Sequence, residues 1–125
     1  MNYLFALVLL PLPVSILGKK CCQFPAYSFS AMTNVTKEDF KCSEPVSVLC
    51  QIDTNGSGYV AVGISGNLTE QADTKPLVIK KGSSSISASL VCDTSSQMWK
   101  VDKKSDKYDN IGCIMRSTGG VWIVY

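Results

Sequence analysis

The chain has 125 residues, with 12 Lys and Arg against 10 Asp and Glu, a net charge of +2 and no histidine. Its basic residues cluster only in short pairs, Lys19-Lys20, Lys80-Lys81 and Lys103-Lys104, so the continuous basic face that nucleic-acid binding demands is excluded. Without histidine there is no Ser-His or Cys-His pair for nucleophilic hydrolysis, and no imidazole to complete a zinc site.

Residues 1–18 carry no charged side chain and hold an unbroken apolar run from Leu4 to Leu10. Pro11 and Pro13 follow, then the small residues Ser15 and Gly18, and Lys19 and Lys20 close the segment. This layout predicts a secretory signal peptide cleaved after Gly18. A membrane anchor would need ~20 apolar residues, and the prolines cut this run short. Residues 19–125 are then a single secreted, extracellular domain, of a size that leans on crosslinks because small domains bury a smaller share of their surface.

Beyond the signal the hydrophobic period is two. Val46, Val48, Cys50 and Ile52 share one face, Val60, Val62 and Ile64 another, and Ile86, Ala88, Leu90 and Cys92 alternate with serines. Such alternation predicts half-buried strands over 46–52, 59–64 and 86–92. Shorter strands are expected at 77–80, 98–102, 111–115 and 121–125. The apolar end 121–125 is too short for a lipid-anchor tail and reads as the last strand. Asn55-Gly56 and Gly119-Gly120 predict tight hairpin turns, 66–75 and 80–85 read as polar connections, and Thr36 is placed to cap a short helix over 36–40. The expected fold is all-β: a small, disulfide-stapled antiparallel β-sandwich or barrel-like domain.

All six cysteines, Cys21, Cys22, Cys42, Cys50, Cys92 and Cys113, follow the signal. An even count in a secreted chain predicts three disulfides, and no CxxC pair supports a thiolate zinc site. Three sequons, Asn34-Val35-Thr36, Asn55-Gly56-Ser57 and Asn67-Leu68-Thr69, lack proline at the middle position. Asn34, Asn55 and Asn67 are therefore candidate N-glycosylation sites, which must lie at the surface.

Asp53, Asn55, Ser57 and Gly58 match the opening of an EF-hand calcium loop, but the closing bidentate Glu is replaced by Ile64 and both flanks alternate like strands. The same stretch approaches the Asp-Thr-Gly of aspartic proteases, but Asn55 interrupts it and no second copy exists to share a proton. No facing carboxylate pair suggests a glycosidase. No cofactor, metal or catalytic residue is expected. The aromatics Phe24, Tyr27, Phe29, Tyr59, Trp99, Tyr108, Trp122 and Tyr125 read mainly as core, with Trp99, seven residues after Cys92, packed near a disulfide.

The cysteine order resembles the six-cysteine ("C-six") extracellular domain family of nematode secreted and surface proteins. The resemblance rests on the Cys21-Cys22 pair, Cys42 and Cys50 flanking Val46-Ser47-Val48-Leu49, then Leu90-Val91-Cys92, Trp99 and Ile111-Gly112-Cys113. Two features depart from it: Cys21 and Cys22 are adjacent rather than spaced by two, and 119–125 extends past the last cysteine. The family has no assigned function, so the resemblance implies compartment and fold. It also implies that the first and third cysteines pair, Cys21 with Cys42, because family members lacking one lack both. A weaker likeness to a complement-control module fails on the spacing of Cys42 and Cys50.

Of the 15 pairings that six cysteines allow, those joining Cys21 to Cys22 are discounted for backbone strain. If 86–92, 98–102 and 111–115 form a meander, Cys92 and Cys113 stand two strands apart, about 9–10 Å, beyond the ~7 Å that a disulfide spans. Cys50 and Cys92 on apolar faces would then meet across the core, leaving Cys22 with Cys113; the likeness to an immunoglobulin bridge fails, because no Trp follows Cys50 at strand-C distance and no Tyr precedes Cys92 by two. The expected function is non-enzymatic binding of an extracellular protein or glycan. The alternative is a secreted defence or toxin-like effector or a protease inhibitor; a membrane-active effector would need more charge than +2.

Overall fold

The computed structural model describes residues 20–28, 30–70 and 75–125. The signal peptide predicted over 1–18 and the aromatic Phe29 lie outside the described residues. Among the described residues, nine strands form two antiparallel sheets. They are β1 (Met32–Thr33), β2 (Val46–Gln51), β3 (Tyr59–Gly66), β4 (Leu77–Gly82), β5 (Ser85–Asp93), β6 (Met98–Val101), β7 (Lys107–Tyr108), β8 (Ile111–Ser117) and β9 (Trp122–Val124). One sheet has the order β1-β2-β5-β6-β7 and the other β4-β3-β8-β9. The fold is the all-β, disulfide-stapled sandwich that the alternating pattern predicts.

The period-two faces become the core, except at Val60, which is exposed because the register of β3 shifts between Tyr59 and Ala61. Val46, Val48 and Cys50 of β2 and Ala88, Leu90 and Cys92 of β5 are buried on one side, facing Val62 and Ile64 of β3 and Ile111 and Cys113 of β8. The intervening serines Ser47, Ser85, Ser87 and Ser89 face solvent. Trp99 is wholly buried directly opposite Cys92, as its spacing suggests. Its indole N–H donates to the carbonyl of Gln23 at 2.9 Å, which satisfies the one polar atom such a ring carries.

Three expectations about connections are corrected. The turn at Asn55-Gly56 is not a hairpin, because β2 and β3 belong to different sheets and 52–58 carries the chain across the sandwich. Asp53 Oδ1 accepts the backbone N–H of Asn55 at 2.9 Å, an Asx-type turn that needs no paired strands. The helix at 36–40 is a single turn, closed by the N–H groups of Asp39 and Phe40 on the Thr36 carbonyl at 3.1 and 3.0 Å. With one turn there is no propagation to repay nucleation. The meander of 86–92, 98–102 and 111–115 stops after its second strand: β7 closes that sheet, and β8 joins the other. The turn at Gly119-Gly120 does join a hairpin, β8 to β9, with Gly120 at φ 88°.

The disulfides are Cys21–Cys42, Cys22–Cys92 and Cys50–Cys113. The first agrees with the pairing implied by the family resemblance. The other two correct the expected partners. Cys50 stands opposite Ile86 in the register of two neighbouring strands, so Cys92 lies six residues further along the same sheet. At ~3.4 Å per residue that is about 20 Å, and the two cannot meet. Cys50 instead reaches Cys113 on the facing sheet, with Cα atoms 5.6 Å apart.

Cys22 bonds to Cys92 because the chain before β1 runs as a strap over one end of the sandwich. It begins beside β5 and β6, then crosses to β8, where the Ile111 N–H donates to Pro25 O and the Tyr27 N–H to Ile111 O, both at 2.8 Å. The other end of the chain is also tied across the layers: Tyr125 donates its hydroxyl to the Gln51 carbonyl at 2.7 Å.

Candidate functional site

A concavity lies on the outer face of the four-stranded sheet. Two glycines create it. A Cβ on Gly63 would stand 3.1 Å from Cζ3 of Trp122 and 3.0 Å from Cγ1 of Ile114, so the indole of β9 rests on the bare backbone of β3. A Cβ on Gly112 would stand 2.3 Å from Cδ1 of Leu68, so the loop after β3 lays its leucine over β8. Between these two coverings is a groove of about 430 Å³. Leu68, Pro76, Leu77, Trp122 and Val124 supply its apolar lining, and Asn67, Thr69, Glu70 and Lys75 its polar margin.

The first turn of the loop is held by paired amides. Asn67 takes φ 56°, the left-handed region that asparagine tolerates better than most residues. Its Oδ1 accepts the Asp109 N–H at 2.8 Å, and its own backbone N–H donates to Asn110 O at 3.1 Å. Asn110 returns the contact twice: Oδ1 accepts the Leu68 N–H at 2.7 Å and Nδ2 donates to Leu68 O at 3.0 Å. These bonds fix Leu68 in its place over Gly112. The apolar side of the groove is open: Leu77 is 51% and Val124 41% exposed. The arrangement suits a group with one apolar face and a polar perimeter.

The three sequon asparagines are all exposed. Asn34 continues the pairing of β1, its Oδ1 accepting the Ser47 N–H at 2.9 Å. Asn55 sits in the crossing 52–58, and Asn67 is part of the groove wall. At both Asn34 and Asn67 the carbonyl oxygen is engaged, and Nδ2, the atom that bears a sugar, has no hydrogen bond among the described residues. The groove itself was not foreseen from sequence. Its parts come from 66–70, 75–77 and 122–124, and the only local signal was glycine in two strands, which marks close approach.

The calcium-like residues do not converge. Asp53 Oδ1 serves the Asn55 N–H, Ser57 Oγ accepts the Tyr59 N–H at 3.3 Å, and Ile64 is wholly buried in the core. Among the described residues, no group of three or more Cys, Asp or Glu is placed to hold a metal, and no helix is long and apolar enough to cross a membrane.

A second surface is the outer face of the five-stranded sheet. Met32 and Leu49 stand opposite each other there, with Val91 two strands from Met32 and the row of serines between. Met32 and Val91 are 46% and 43% exposed.

A small β-sandwich closed by three disulfides belongs to the class of crosslinked domains that form in an oxidising compartment. No family model, curated protein or solved structure matches the chain.

Proposed function

We propose that this chain is a secreted, N-glycosylated domain that binds an extracellular protein partner without catalysis, as a member of the six-cysteine family it resembles. The observation that carries the binding reading is the outer face of the five-stranded sheet, where exposed Met32 and Val91 and half-buried Leu49 lie among Ser47, Ser85, Ser87 and Ser89. Exposed apolar side chains on one sheet face mark contact surfaces, and methionine is enriched in them. Asn34 stands at the β1 margin of this face, two strands from Val91, so a glycan there borders the contact surface.

Glycosylation joins C1 of a lipid-linked oligosaccharide pyrophosphate to the asparagine Nδ2, which loses one proton as the lipid pyrophosphate leaves. Material secreted by a eukaryotic host is expected to begin at or near Lys19 and to shift in mobility on removal of N-glycans. Screened against displayed extracellular ectodomains, it should bind saturably and turn over no hydrolase substrate. Met32→Glu combined with Val91→Arg should weaken binding about ten-fold or more, the loss of one central contact. Unchanged binding by this variant, or hydrolytic turnover, refutes the reading.

One feature favours a second reading, a protease inhibitor. Residues 36–45 form a largely exposed segment, tied by the Cys21–Cys42 disulfide. Stoichiometric inhibition of a serine or cysteine protease, lost on Lys41→Ala, would establish it in place of the first.

A further inference from the structure

The groove on the four-stranded sheet leaves Leu77 and Val124 open to water beside an indole, yet its wall contains an acceptor asparagine. We propose that the N-acetylglucosamine stem of a glycan on Asn67 folds back into this groove and covers Trp122, Leu77 and Val124. The inference rests on the glycosylated reading above and gives the glycan a structural role.

Three observations converge on it. The first is position: Asn67 lines the groove, and neither Asn34 nor Asn55 does. Its Oδ1 is held by the Asp109 N–H, so the amide plane is set and Nδ2 is the atom left to carry the sugar. The second is chemistry. An acetylated hexose has an apolar C–H face and an acetamide methyl, bounded by hydroxyls. The groove matches that division, with Pro76, Leu77, Trp122 and Val124 on one side and Thr69, Glu70 and Lys75 on the other. Aromatic rings take such amphipathic partners well.

The third is size and tether. The groove's volume of about 430 Å³ falls in the ~300–1,000 Å³ range of small-ligand sites. A covalently attached sugar pays little of the translational and rotational cost of binding, so weak stacking suffices to hold it.

Tryptophan fluorescence provides the test, because the chain has only two tryptophans and Trp99 is 0% exposed. Quenching by acrylamide therefore reports Trp122. The secreted full chain, trimmed enzymatically to one N-acetylglucosamine per site, is compared with Asn67→Gln and with Asn34→Gln. A second variant, Thr69→Ala, removes the acceptor motif while keeping Asn67 and its bond to Asp109. Occupancy is read by glycopeptide mass spectrometry.

The quenching constant of the glycosylated chain should be about two-fold or more below that of both Asn67→Gln and Thr69→Ala, since a stacked sugar screens the open ring face. Asn34→Gln should leave it unchanged. A nuclear Overhauser contact between the acetamide methyl and the Trp122 ring should accompany the protection. Equal quenching with Asn67 fully occupied overturns the inference and leaves the glycosylated reading standing. Glycan at Asn34 or Asn55 but none at Asn67 does the same. No glycan at any sequon overturns both. Protection that appears only as protein concentration rises marks a second copy in the groove and overturns the inference.

Discussion

Cys50 and Cys113 face each other across the sandwich, one on each sheet, both 0% exposed and with Cα atoms 5.6 Å apart. Their bond is the crosslink that joins a strand of one layer directly to a strand of the other. It spans 63 residues of sequence, and in the chain-entropy picture a loop of that length contributes about 4 kcal/mol by restricting the unfolded chain. Cys50→Ala with Cys113→Ala should therefore lower the thermal midpoint by about 15 °C or more, or prevent secretion. A calorimetric scan of secreted protein checks this.

The three disulfides should open in a fixed order. Cys21 is exposed and Cys42 half-buried, whereas Cys22 is 2% and Cys92 9% exposed and the Cys50–Cys113 pair is sealed in the core. Exchange requires a thiolate to reach a sulfur. Differential alkylation under rising reductant should label Cys21 and Cys42 first, and Cys50 and Cys113 only as the fold is lost. Early labelling of Cys113 would contradict the burial described above.

Trp99 connects the strap to the core. It packs beside Phe40 with ring centroids 6.3 Å apart, and Phe40 in turn meets Phe24 at 5.4 Å. Trp99→Ala should cost about 3–5 kcal/mol, the range for deleting a large buried aromatic ring. Trp99→Phe should cost less but still about 1 kcal/mol or more, because the Gln23 carbonyl loses its donor. Urea denaturation of the two variants separates packing from the hydrogen bond.

Acid should weaken the fold through two carboxylates. The Lys80 ammonium hydrogen-bonds Asp102, the Ser89 N–H supports it, and together they hold its carboxyl below the usual aspartate range against the opposing effect of burial. Lys107 does the same for Asp93 with help from Ser95. A folded-state pKa below the unfolded value of ~3.9 gives stability that is present above that pH and is lost as pH falls through the folded value. The denaturation midpoint should thus hold from pH 7 to about 5 and drop below about 4. Asp102→Asn should flatten that acid limb without changing its direction, which equilibrium unfolding between pH 2 and 7 measures.

Much of the strand set was legible because alternation is local. Val46, Val48 and Cys50, or Ala88, Leu90 and Cys92, declare a buried face without reference to any partner. The two strands that escaped notice, β1 and β7, have two residues each and no period to read. The serines between the apolar positions likewise announced a solvated face. That Met32 would join this face depends on its pairing with Leu49, a contact across 17 residues that no local pattern encodes.

By itself the sequence determined the number of cysteines, the strands that carry three of the six and the side of each of those strands that turns inward, because side-chain direction in a strand follows from position alone. Which cysteine meets which was decided only in three dimensions. Cys92 faces inward as Cys50 does, but register places them far apart on one sheet, and the crossing at 52–58 together with the transfer of β8 to the other sheet brings Cys113 to Cys50 instead. The groove has the same origin: Leu68 lies over Gly112 and Trp122 over Gly63 because paired strands bring together residues more than forty positions apart. Period and composition act on neighbours along the chain, whereas pairing and layer assignment are long-range choices made by burial of the whole set of faces at once.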